Sequence, residues 1–152
     1  MTAPTAPATF RYEGTLAASP EAVFRAWTDP AELKEWFGPD GFTTVEAEVD
    51  LRVGGRYRLA MRTPEGSLLH ISGTYREVRL DERLVYTWTW EHAPDEEMVV
   101  TVEFQAVEPD ATRVVLTHER IVDGEARRDE AGWTEGVARL AAFVVKEGRG
   151  WR

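Results

Sequence analysis

The sequence predicts an α+β fold: a curved antiparallel sheet of seven strands wrapped around one long C-terminal helix, with two short helices after the first strand. Three observations predict it. Asp129 to Lys146 is the one long segment with a helical apolar period, since Trp133, Val137, Leu140, Ala141 and Val144 recur at i, i+4, i+7, i+8 and i+11. From Phe42 to His118 the apolar residues alternate instead, and turn residues interrupt them every eight to twelve positions or so. A helix with so broad an apolar face needs a partner surface, and alternating strand is nearly all that the preceding chain offers.

Taken in order, Met1 to Thr9 is Pro, Ala and Thr after the initiator, which reads as a disordered leader; residues 10–152 then form a single domain. Phe10, Tyr12 and Leu16 share one face of the first strand. Ser19-Pro20-Glu21 carries an N-cap and an N1 proline, and Val23, Phe24 and Trp27 follow at helical spacing. Asp29-Pro30 stops that helix and starts a second one holding Leu33, Trp36 and Phe37, which Gly38-Pro39-Asp40-Gly41 ends.

Six strands follow. Val45, Ala47 and Val49 oppose Glu46 and Glu48; after Gly54-Gly55, Tyr57, Leu59 and Met61 oppose Arg56, Arg58 and Arg62. Leu69, Ile71, Gly73 and Tyr75 mark the next inward set, then Leu84, Tyr86, Trp88 and Trp90, then Val100, Val102 and Phe104, and last Val114, Leu116 and His118. In the closing helix, Asp129 reads as the N-cap and Gly148 as the C-terminal stop.

Composition excludes several functions. The 27 acidic and 18 basic side chains leave a net charge of -9, so neither a nucleic-acid backbone nor an anionic membrane surface is an expected partner. Without cysteine there is no disulfide framework, thiolate nucleophile or cysteine-bound metal. No apolar run is long enough to span a bilayer and the N-terminus lacks a signal-peptide pattern, so a cytoplasmic location is expected.

Three motifs in order, Trp36-Phe37-Gly38-Pro39, Asp50-Leu51-Arg52-Val53-Gly54-Gly55 and Gly132-Trp133, resemble the family of homologues of the activator of heat-shock protein 90 ATPase. That family lies in the START-like, birch-pollen-allergen-like superfamily, and the likeness spans about Thr15 to Val145. The resemblance implies a helix-grip fold with a cavity for an apolar ligand between sheet and helix. It implies no single function, because lipid carriers, receptors, cyclases and co-chaperone domains share that fold. The eukaryotic activators that this chain resembles carry a separate N-terminal chaperone-binding domain. Here a nine-residue leader precedes the first strand, so direct chaperone activation is not expected.

The candidate ligand-binding residues are Trp36, Phe37, Tyr57, Met61, Tyr75, Tyr86, Trp88, Trp90, Phe104, His118, Trp133, Val137 and Leu140. The rings among them suit a flat, mostly apolar molecule with a few polar atoms, and they equally suit a filled core. Trp36 and Phe37 stand where a gate would be, unless they only pack. His118 shares a face with Val114 and Leu116, where a histidine could contact a ligand or act as a general base, or be a buried, satisfied core residue. His70 and His92 fall on the outward face and on a turn, so no metal site is expected, nor any cofactor. No inward carboxylate pair serves acid–base chemistry, and Asp50, Arg52, Gly54 and Gly55 read as a structural turn. The expected function is binding of a small hydrophobic or aromatic molecule. A co-chaperone-like interaction module and a cyclase- or dehydratase-like enzyme using His118 are the alternatives, and the sequence leaves monomer and homodimer both open.

Overall fold

The structure is a computed structural model that describes residues 8–121 and 126–149. Seven strands form one antiparallel sheet in the order β1-β7-β6-β5-β4-β3-β2: β1 Ala8–Leu16, β2 Thr43–Val49, β3 Arg56–Arg62, β4 Leu68–Arg79, β5 Arg83–Trp90, β6 Met98–Glu108 and β7 Ala111–Ile121. Helices α1 (Pro20–Thr28) and α2 (Pro30–Trp36) link β1 to β2, and α3 spans Ala126–Arg149. The sheet curves around α3, as the two periodicities require.

Parity sets the faces. Tyr57, Trp88, Phe104 and Trp133 are buried, whereas Glu46, Glu48, Arg56 and Arg58 are exposed. Down α3, Trp133, Val137, Leu140 and Val144 are all buried in one core with the inward residues of β3 to β7. Local chemistry accounts for the first two helices: Ser19 Oγ accepts from Ala22 N at 3.2 Å, and Asp29 ends α1 while its Oδ1 accepts from Ala31 N at 2.8 Å to start α2.

Some details differ from the sequence reading. Strand β1 already includes Ala8 and Thr9, because β7 is long enough to offer Ile121 opposite Ala8, with an irregularity at Thr9; residues 1–7 of the expected leader lie outside the described residues. Helix α3 begins at Ala126, so Asp129 is inside it rather than at its cap; Ala126, Arg127 and Arg128 are good helix formers that extend the first turn. Gly148 lies within the last turn, which runs to Arg149. In the β2–β3 connection Asp50 uses its backbone carbonyl to accept from Arg52 N at 2.9 Å, and its carboxylate takes Arg52 Nε at 2.9 Å in solvent. Gly54 there has φ +85, and a side chain on Gly55 would collide with the Asp50 carbonyl.

Candidate functional site

The site is built where α2 ends. Trp36, fully buried, donates its indole N–H to Ala26 O at 2.8 Å, which locks its ring beneath α1. Phe37 caps the helix and packs on Trp36, Trp88 and Trp133 at centroid distances of 5.6, 5.8 and 6.0 Å. Gly38, at φ +109, then turns the chain over α3. Arg139 holds the turn: its Nη1 lies 3.0, 3.2 and 3.3 Å from the carbonyls of Gly38, Pro39 and Phe42. One helical turn earlier Glu135 accepts from Asp40 N at 3.0 Å, and between them Gly136 faces Gly38, where a Cβ would make only ordinary van der Waals contact.

Between this loop, α3 and the ends of β3, β4 and β5 lies a cavity of about 560 Å³, within the usual range for small-molecule sites. Its inner wall is Trp36, Phe37, Met61, Trp88 and Trp133, all buried. Its rim is more exposed: Phe42, Leu68, His70, Trp90, Glu91 and His92.

Six of the thirteen predicted ligand residues therefore meet at one void: Trp36, Phe37, Met61, Trp88, Trp90 and Trp133. The others do not reach it. Tyr57, Tyr75 and Tyr86 pack on one another at 5.3 to 5.8 Å around a gap of about 20 Å³, room for roughly one water. Burial raises the pKa of all three, so they stay neutral phenols. Tyr57 Oη donates to Thr87 O, and Tyr86 Oη accepts from Trp27 Nε1. Phe104 is wedged edge-on between Phe24 and Trp27, and Val137 and Leu140 continue the core along α3.

His118 stands one ring behind the cavity. Its Nδ1 accepts from Trp133 Nε1 at 2.8 Å, its Nε2 faces Met98 Sδ at 3.3 Å, and Trp88 covers it at 5.3 Å. Burial pushes its pKa down to about 4, so it is neutral at pH 7. Among the described residues no hydrogen bond to a carboxylate orients it.

The rim residues His70, Glu91 and His92 were not among the expected site residues. Parity misleads at this end of the sheet because Leu59, Ala60 and Met61 are buried consecutively, so alternation no longer separates an inner from an outer face. His92 is on a turn, as expected, but that turn folds over the opening, and its ring lies 5.7 Å from Trp90. Arg58 reaches Glu91 at 2.8 and 3.0 Å rather than its β2 neighbours, and this hydrogen bonding lowers the Glu91 pKa. Among the described residues, no group of three or more His, Asp or Glu could hold a metal ion, and no helix is long and apolar enough to cross a membrane.

A seven-stranded sheet curved around a closing helix, with an aromatic-walled cavity beneath it, defines a helix-grip protein of the START-like superfamily. The model of the family described as activator of Hsp90 ATPase homolog 1-like protein matches residues 17–144, and the chain belongs to that family. A crystal structure from Chromobacterium violaceum is 32% identical with a TM-score of 0.82, over 91% of this chain and 98% of that one. An AHSA1 protein from Silicibacter pomeroyi is 29% identical (TM-score 0.81, over 92% and 99% of the two chains). An HSP90 activator from Plasmodium falciparum is 28% identical (TM-score 0.73, over 90% and 95%). No curated protein matches the chain in sequence.

Proposed function

We propose that this protein binds a small hydrophobic or aromatic molecule in the cavity between the sheet and α3. The cavity itself carries the reading: about 560 Å³ of space walled by rings, against about 20 Å³ in the gap among the core tyrosines. Large apolar side chains around a void forfeit packing contacts that a ligand would restore. Binding without turnover is favoured over catalysis, because His118 is screened from the cavity by Trp88 and Trp133 and is hydrogen-bonded to Trp133 instead of a carboxylate.

Titration with N-phenyl-1-naphthylamine, a neutral probe that brightens in apolar surroundings, tests this reading. Saturable one-to-one binding is expected, with quenching of the wall tryptophans. Leu68→Trp, at an exposed rim position, should weaken it about tenfold or more by filling the opening, whereas His118→Gln should change it by no more than about tenfold. Absence of saturable binding, or indifference to Leu68→Trp, would refute the cavity as the site.

A second reading, a co-chaperone-like interaction module, is favoured by the likeness to the Plasmodium falciparum HSP90 activator. It predicts that this chain stimulates the ATPase of a purified heat-shock protein 90. No stimulation at saturating concentration would dismiss it.

A further inference from the structure

The wall tryptophans do not turn their hydrogen-bond donors toward the cavity. Trp36 gives its N–H to Ala26 O and Trp133 gives its own to His118, while Trp88 Nε1 is buried and has no partner among the described residues. Trp90, the fourth, stands at the rim between Trp88 and His92. A polar atom carried into the inner cavity would thus lose water and find no indole donor at Trp36, Trp88 or Trp133, which is unfavourable.

Apart from the indoles, the polar side chains described along the cavity stand at the rim. Among the described residues no Lys or Arg lines the cavity, and the charged side chain that does is Glu91. Arg58, the cation bonded to Glu91, also feels the carboxylates of Glu46 and Glu48, while Arg139, behind the loop wall, is bonded to the carbonyls of Gly38, Pro39 and Phe42. The other polar side chains of the rim are those of His70 and His92, in a protein of net charge -9. Aromatic rings also favour cations over anions through their negative faces.

We propose that the ligand has an aromatic or hydrocarbon body without polar atoms, inserted among Trp36, Trp88 and Trp133, and one basic nitrogen left at the rim beside Glu91. This rests on the cavity being a binding site, and it adds the class of molecule. Glu91 is then a specificity-determining residue that selects for a cation and against a carboxylate.

Displacement of bound N-phenyl-1-naphthylamine by three compounds with the same body tests it: 1-naphthylmethylamine, 1-naphthalenemethanol and 1-naphthylacetate, at pH 7.5. The amine should compete at a concentration about fivefold or more below the carboxylate, the scale of one desolvated cation–ring or ion-pair contact. Glu91→Gln should bring the two within about twofold. Arg58→Gln, which breaks the same ion pair but keeps the carboxylate, should preserve the preference for the amine. Because salt screens the distant charges more than the rim, the preference should also survive in about 0.5 M NaCl. Equal or tighter binding of 1-naphthylacetate, or an amine preference untouched by Glu91→Gln, would overturn the assignment while leaving the cavity reading intact. Failure of N-phenyl-1-naphthylamine itself to bind would overturn both.

Discussion

The indole N–H of Trp133 donates to His118 Nδ1 at 2.8 Å, tying α3 to β7 inside the core. With Nδ1 accepting, the proton of the neutral ring belongs on Nε2, opposite Met98 Sδ. Charging the ring would require a second proton at Nδ1, against the donor already there.

Acid stability should report this arrangement. Burial lowers the folded-state pKa of His118 to about 4 from an ordinary 6.5, so the unfolded chain binds the proton more readily. The stabilisation is complete above pH 6.5 and is lost as pH falls through 6.5 toward 4, amounting to about 3 kcal/mol in all. Urea midpoints at pH 7 and 4.5 should fall further in the parent protein than in His118→Gln. Parallel falls in the two would disprove the effect.

Leu140 is fully buried midway along the α3 stripe. Leu140→Ala should cost about 2–5 kcal/mol, through lost burial and the space left behind. An unchanged urea midpoint would mean that α3 does not close the core.

Arg139→Met keeps the aliphatic stem and removes a donor to the carbonyls of Gly38, Pro39 and Phe42. A destabilisation of about 1–3 kcal/mol is expected. The same variant should bind N-phenyl-1-naphthylamine more weakly, because this loop is one wall of the cavity. Unchanged stability and unchanged binding together would show that the loop holds its place without the guanidinium.

Gly73 has an ordinary φ, yet a Cβ there would collide with Thr87 O and press on the Tyr57 ring. Gly73→Ala should therefore destabilise the sheet by more than about 2 kcal/mol, through strain in a packed core. Gly66→Ala is the contrasting variant: its Cβ meets nothing within 4 Å, and only its φ of +92 opposes the change. By thermal melting Gly73→Ala should be clearly the worse; the reverse order would refute the collision.

Periodicity, capping and turn chemistry were enough to determine the strands, the two short helices, the α3 stripe and which side of most strands is buried. Each of these depends on residues a few positions apart, and so does the N-cap at Ser19. The extent of α3 was less legible, since helix ends turn on small propensity differences. Where the cavity lies was decided only by the tertiary structure. Tyr57, Tyr75 and Tyr86 share the inward parity of Trp88, yet they interlock around almost no space, while Trp88 faces a void. Likewise His118 has inward parity but is covered by Trp88 and Trp133, whereas His70, on the opposite parity, reaches the rim. Empty volume is the small difference between what the curved sheet encloses and what its side chains fill. That difference depends on contacts such as Arg139 to Gly38, 101 positions apart, which no local pattern records.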